Sequence, residues 1–475
     1  MSERIAIHWF RRDLRLADNT ALIAALRTGA RVVPLFIFDP AILRSARTGA
    51  PRVAFMLRAL HALDERLRER GSALLVRFGH PHEVLPAIVR EIDAGAIYAN
   101  ADYTPYARRR DERLRQALTV PLHLYHDLLL RAPGEVLKDD GAPFTVFTPF
   151  MKRWRMLPPP PGVASDNAGW GRFHTLDDIR NPGLPALAAL GFGSTIAVPE
   201  ADEVAAQRAL ARFIDGPIYI YSETRNALVT DPFASEASVG SSYLSPYLRF
   251  GILSPRQVYW AAQRAGEVAP TYEARQSVKI YVNELIWREF YHHILYHFPH
   301  VDRASFRPEY DAVPWRDAPD ELAAWQEGRT GYPIVDAAMR QLRAIGWLPN
   351  RARMIVASFL TKDLLIHWRA GEQYFMQWLI DGDVAANNGG WQWTAGTGTD
   401  AQPYFRIFNP VSQSRKFDPD GHYIRRWVPE LRAISSPHIH TPWEMENLPV
   451  NYPPPLIDHA VARERTLAAF RVVKG

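Results

Sequence analysis

Residues 1–130 alternate in a way that leaves little choice of fold. Short apolar runs stand at 5–10, 32–38, 73–78, 96–98 and 122–125. Between them, at 19–27, 52–70, 83–92 and 106–118, apolar residues recur with helical spacing. Strands that alternate with helices indicate a parallel sheet, because each helix brings the chain back to start the next strand in the same direction. The expectation is an α/β domain over 1–130 with a doubly wound, five-stranded parallel sheet. No G-x-G-x-x-G follows any of these strands, so the usual dinucleotide fingerprint is missing.

The pattern then changes. Residues 131–200 read as a linker, rich in Gly, Ser and Asn around four consecutive prolines at 158–161. From 201 to 475 the periodicity is helical, with Ser254 and Pro255 as cap and first residue of one helix and further helices expected at 277–297, 334–345 and 352–368. At 475 residues, 47% hydrophobic and 23% charged, the chain has material for several packed domains and is not globally disordered. No apolar run approaches the roughly 18 residues of a membrane span. The Met1-Ser2-Glu3-Arg4 start does not read as a signal peptide, and none is expected. With no cysteine, disulfides, thiolate nucleophiles and thiolate metal sites are excluded. A cytoplasmic monomer with no membrane partner is expected.

Three groups of residues are placed to do chemistry. Glu284, Trp287, Arg288 and Tyr291 fall at i, i+3, i+4 and i+7 and share one helix face. That face is either solvated, with an incidental ion pair, or a wall for a flat, polar, anionic ligand, since bases stack on indoles. The segment 381–393 is too polar and glycine-rich for an amphipathic core helix and reads as a loop. Its Asp381 and Asp383 could hold a divalent metal or cap the loop, but no third hard oxygen ligand stands nearby. Ser235, Ser238, Ser241, Ser242 and Ser245, around Gly240, make either an anion site or a capped loop. No metal is expected: His292 and His293 point roughly 100° apart on a helix, and there is no H-E-x-x-H. No G-x-S-x-G or P-loop occurs either. Basic residues number 56 against 51 acidic, a net +5, and all but six of the cations are arginine. Arginine's planar fork suits phosphate, although so small an excess is weak evidence for nucleic acid by itself.

Longer motifs carry a family resemblance. The opening Trp9-Phe10-Arg11-Arg12-Asp13-Leu14-Arg15-Leu16-Ala17-Asp18-Asn19 resembles the N-terminus of the photolyase/cryptochrome family. So do Asn283-Glu284-Leu285-Ile286-Trp287-Arg288-Glu289-Phe290, the run Gly331-Tyr332-Pro333-Ile334-Val335-Asp336, and Asp381-Gly382-Asp383 followed by Ala386-Asn387-Asn388-Gly389-Gly390-Trp391-Gln392-Trp393. The resemblance covers essentially the whole chain and is closest to class I cyclobutane pyrimidine dimer photolyases. It implies an antenna-chromophore domain over 1–130, a linker over 131–200 and a helical FAD- and DNA-binding catalytic domain over 201–475. The implied activity is light-driven repair of pyrimidine dimers in DNA. In such enzymes excited, reduced FAD lends an electron to a dimer extruded from the helix; the extrusion is a recognised property of photolyases.

Residue by residue, the resemblance assigns FAD to Tyr221, Ser241, Ser242, Leu244, Ser245, Asn350, Arg353, Asp381, Asp383 and Asn387, with Asn387 near the flavin N5. It assigns the dimer and its DNA to Arg225, Glu284, Trp287, Arg288, Tyr291, Asn350, Met354, Trp393 and Gln413. It assigns an electron relay to Trp391, Trp368 and Trp315. A second chromophore is expected to be a deazaflavin or FMN, not a folate. Folate-binding relatives use an Asn-Glu pair where Tyr106 and Ala107 stand here; Arg52 and Asp102 are the further antenna candidates. The rival implied by the same resemblance is a cryptochrome, a blue-light signalling flavoprotein without repair. Plant cryptochromes carry Asp at the place of Asn387. A six-four photolyase would need histidines around Asn350-Arg351-Ala352-Arg353-Met354, and the single-strand-preferring cryptochromes tend to replace the residue at Trp393.

Overall fold

The first strand is the middle of the sheet. β1 (Ile5–Phe10) pairs with β2 (Arg31–Phe38) on one side and β4 (Ala94–Asn100) on the other. β3 (Leu75–Phe78) and β5 (Leu122–Tyr125) form the edges, giving the order β3-β2-β1-β4-β5 with every pairing parallel. Ala6 to Phe10 are all buried, as a strand covered on both faces requires. The intervening helices begin where their chemistry permits: Asn19 caps Thr20–Arg27, Thr104 caps Pro105–Ala117, and prolines open Pro81–Glu91 and Pro105–Ala117. In this computed structural model the described residues are 4–164, 172–193, 195–228, 240–446 and 451–473, so Ser235 and Ser238 lie outside them.

The backbone divides into two compact units: 1–195 with 199–219 and 242–299, and 196–198 with 220–241 and 300–475. The first unit contains the sheet and also the helices Phe147–Met156, Glu203–Ile214, Pro255–Glu267 and Tyr272–His297. Ser254 caps Pro255–Glu267 in a full capping box with Gln257. A buried ion network joins this helix to the sheet's loops. Arg256 Nε donates to Asp18 Oδ2 at 3.0 Å and its Nη2 to Asp127 Oδ1 at 2.7 Å, while Arg15 Nη2 donates to Asp127 Oδ2 at 2.7 Å. Burial pushes the Asp127 carboxyl up, but Arg15 and Arg256 outweigh it and hold the group well below the usual carboxylate range.

The second unit is helical, with Trp325, Val335, Met339, Leu342, Val356, Phe359, Trp368, Trp391 and Tyr423 in its core. Two expectations are corrected here. The helix expected at 352–368 ends early. Asn350–Ser358 passes into a wider π turn, Phe359–Asp363, and Leu365 then takes φ +51°. A new helix, Trp368–Trp378, starts with the His367 imidazole accepting from the Arg369 amide. The segment read as a loop, 381–393, is largely a helix, Val384–Ala395. Asp383 caps it, accepting from the amides of Ala385 (2.9 Å) and Ala386 (3.2 Å). The helix survives its glycines because its polar residues are anchored: Asn388 and Gln392 both donate to the Val301 carbonyl.

Among the described residues no helix is long and apolar enough to cross a membrane, and no group of three or more His, Asp or Glu is arranged to hold a metal ion.

Candidate functional site

In the first unit, Tyr272–His297 runs for 26 residues from its Thr271 cap. Glu284, Trp287, Arg288 and Tyr291 are partly open on it, while Leu285, Ile286 and Phe290 are buried, so the face anticipated from spacing exists. Its members are not simply solvated. Trp287 stacks on Phe147 with ring centroids 3.6 Å apart and planes 8° from parallel, and the Tyr291 ring lies 5.5 Å away. Arg288 Nη1 donates to the Leu128 carbonyl at 2.9 Å. Leu244 is buried, Ser245 opens the short helix Ser245–Arg249, and Ser242 hydrogen-bonds the buried Tyr281.

Glu289, on the opposite side of this helix, was not anticipated. Its carboxyl is buried and accepts from Trp154 Nε1 at 2.7 Å and from the Leu130 amide. Burial pushes it up to about 7, against the pull of those donors. A Glu followed by Phe inside a helix gives no sign that the carboxylate faces inward; only the tryptophan 135 residues earlier in the chain explains it.

In the second unit, Arg353 and Asp381 come together. Arg353 Nη2 donates to Asp381 Oδ2 at 2.8 Å, and its Nε is held by the Leu348 carbonyl at 3.0 Å. Asp381 Oδ1 is buried and accepts no hydrogen bond from the described residues. A buried carboxylate oxygen without a donor is costly, and it suits a hydroxyl or ring N–H of a ligand. Asn387 Nδ2 donates to the Glu372 carbonyl at 3.0 Å, which fixes the plane of its amide.

The three tryptophans expected to form a relay are distributed as follows. Trp391 is buried against Phe375 (5.0 Å) and Trp325 (6.1 Å), both edge-on. Trp368 is fully buried. The His367 ring contacts both it and Trp315, 5.6 Å from the first and 5.2 Å from the second. His367 was not anticipated.

Arg225 caps the short Tyr221–Thr224 helix and lies 5.7 Å over the Tyr221 ring. Its neighbours Arg351 and Arg406 went unnoticed in the sequence. Burial first, then the Arg225 and Arg406 guanidinium groups, lower the Arg351 pKa, so three arginines share one region. Arg351 is oriented by Asn226, at 2.9 Å, and by the Phe417 ring. Asn350 is exposed at the start of its helix, with Nδ2 3.8 Å from the Met354 sulfur. Trp393 is partly open, and Gln413 Oε1 is buried with no donor among the described residues. Ser241 is partly buried beside Gly240.

Each antenna candidate has a partner of its own. Arg52 donates to the Arg47 carbonyl. Asp102 pairs with Arg12 at 3.7 Å and accepts from the Thr104 amide at 3.0 Å. Burial would raise the Asp102 pKa, yet these partners bring it down to about 2. Tyr106 donates its hydroxyl to Asp39, a residue not singled out from the sequence.

Comparison with known proteins identifies the family. Residues 6–164 match the family profile described as DNA photolyase, and residues 281–472 match the FAD binding domain of DNA photolyase. The deoxyribodipyrimidine photo-lyase of a Synechococcus species is 42% identical over 484 residues, covering 99% of this chain and 97% of the relative. A bacterial class III photolyase from Agrobacterium tumefaciens superimposes with a TM-score of 0.88 at 35% identity, covering 100% of this chain and 98% of the other. An archaeal photolyase from Sulfolobus tokodaii, solved with two FAD molecules, gives 0.84 at 33% identity, covering 98% of this chain and 100% of the other. With both profiles matched in order and a relative of 42% identity along nearly its full length, this chain belongs to the DNA photolyase family.

Proposed function

We propose that this protein binds FAD and uses light to repair cyclobutane pyrimidine dimers in DNA, as a deoxyribodipyrimidine photolyase. What carries the reading is the relationship, along 99% of the chain, to a protein named for that activity. The residues fit the cofactor, because the unpartnered Asp381 Oδ1 offers a buried acceptor to it. FAD, when bound and reduced, supplies the photoexcited electron. The chain's own residues bind and orient. Arg353 holds Asp381 in place, Asn387 presents an amide fixed by the Glu372 carbonyl, and Tyr221, Ser241, Ser242, Leu244, Ser245, Asn350 and Asp383 complete the FAD set. Glu284 hydrogen-bonds the pyrimidine edge, Trp287 and Trp393 stack on the extruded bases, and Met354 packs against them. Arg225, Arg288, Tyr291, Asn350 and Gln413 contact the DNA, and the Trp391, Trp368 and Trp315 indoles pass electrons inward. In this reading 1–130 carries the antenna, 131–200 links, and 201–475 carries FAD and DNA.

The second chromophore is proposed to be a deazaflavin or FMN. Ala107, buried where folate-binding relatives place a polar residue, can satisfy no pterin donor, and each donor left unpaired would cost about 1–3 kcal/mol. Reconstitution with each chromophore, followed by energy transfer to FAD, tests this; stoichiometric folate binding overturns it.

The decisive assay is a thymine-dimer oligonucleotide incubated with the reduced holoenzyme in blue light and in darkness. Repair is expected only in the light. Bound FAD with no repair would instead support the signalling reading.

A further inference from the structure

We propose that Phe147 is a positioning residue for the substrate, setting the plane of Trp287 and leaving the indole one usable face. This rests on the reading that Trp287 stacks on the flipped bases.

An indole offers two π faces to a ligand. At a centroid separation of 3.6 Å and an angle of 8°, the Phe147 ring lies directly over one of them with almost no lateral offset. Aromatic pairs left to themselves prefer an offset or an edge-on contact, so this sandwich is imposed by the surrounding packing. The packing is visible. Phe147 is itself buried, and Phe290 meets it edge-on at 5.8 Å and meets Trp287 edge-on at 5.7 Å. The Phe147–Met156 helix is tied to Tyr272–His297 at two further points: Trp154 Nε1 to Glu289 Oε2 at 2.7 Å, and Arg155 Nη2 to Asn283 Oδ1 at 2.8 Å. Phe150 packs on Phe290 at 5.3 Å, while the ring stacked on the indole is that of Phe147.

The helix lies within the stretch that composition marks as a linker, yet it delivers a backing plate to a substrate-facing residue. A plate held in advance lowers the ordering cost when a base stacks on the opposite face. Removing the ring lets the indole lean back by up to a ring's thickness, away from the base.

The test uses the FAD-loaded enzyme with duplex oligonucleotides, with and without a thymine dimer. Phe147→Leu is expected to weaken binding of the dimer-containing duplex about two- to tenfold, the range of a lost aromatic stack. It should leave undamaged-duplex affinity and FAD content unchanged and raise KM with kcat preserved. Phe150→Leu, a similar core loss one turn along, should do none of this. Unchanged damaged-duplex affinity in Phe147→Leu, or equal weakening by both variants, overturns the proposal. Trp287→Ala separates the two levels. If it fails to weaken damaged-duplex binding, the stacking role of Trp287 falls and takes this inference with it. If Trp287→Ala weakens binding and Phe147→Leu does not, the inference alone falls.

Discussion

Gly371 and Trp391 are fitted to one another: a Cβ on the glycine would overlap the benzo edge of the indole, at Cη2, Cζ3 and Cζ2. The helices Trp368–Trp378 and Val384–Ala395 therefore meet at a distance only glycine permits. Gly371→Ala must push the indole aside. Overpacking of this kind costs about 1–3 kcal/mol, so a lowered Tm is expected. Photoreduction of oxidised FAD should slow as well, while repair by chemically reduced enzyme continues. Transient absorption and a thermal melt check both. Trp391→Phe should block photoreduction in the same way and spare repair; loss of both would make Trp391 part of the substrate site.

Trp393→Ala should lose stacking worth about 1–3 kcal/mol on dimer-containing DNA only. Equal losses on damaged and undamaged duplex in a titration would remove Trp393 from the pocket. Arg225→Ala should weaken both substrates and reduce the slope of log affinity against log salt by about 0.9, the value of one phosphate contact.

Asp127 accepts from both Arg15 and Arg256 inside the first unit. Asp127→Asn leaves two buried guanidinium groups facing a neutral amide and should cost about 3–5 kcal/mol in urea unfolding. Because the folded Asp127 pKa is depressed, its contribution is present above the ordinary carboxylate pKa and is lost as pH falls through the folded one. The gap between wild type and variant should narrow in acid.

Lys362 lies in the π turn, fully buried, with Nζ donating to the Ala395 carbonyl at 2.6 Å and resting 3.9 Å over the Phe470 ring. Burial alone pulls its pKa from 10.5 down to about 7. Between those values the unfolded chain holds the extra proton, so this lysine's contribution to stability grows as pH rises and is lost as pH falls through about 7. The Tm of wild type relative to Lys362→Met should climb from pH 7 to pH 10.

The sheet was legible because its signal is local. Short apolar-rich runs bounded by helical segments mark strands, and the runs at 5–10 and 122–125 coincide with the buried central strand β1 and the partly exposed edge strand β5. The face of Glu284, Trp287, Arg288 and Tyr291 was legible for the same reason, since helical spacing alone groups them. What escaped depends on partners remote in sequence. Glu289 waits on Trp154, Tyr106 on Asp39, and Phe147 on Trp287, and none of these pairs is marked by a nearby pattern. The Val384–Ala395 helix escaped because glycine and asparagine argue against a helix locally, while bonds to Val301 and the Asp383 cap outweigh them. The break before Trp368 escaped because Leu365 is an unusual residue to take a positive φ.

The Asp18–Arg256 pair has a consequence during synthesis. Asp18 leaves the ribosome 238 residues ahead of Arg256. At roughly 5–20 residues per second, the nascent sheet waits on the order of 10–50 s for the cation that neutralises this carboxylate. All five strands have emerged by then, while the loops carrying Asp18 and Asp127 still lack the Arg256 guanidinium that bonds both. The N-terminal half of this protein is therefore an apprentice domain, able to collapse early and unable to finish until the helical segment after residue 242 arrives to complete it.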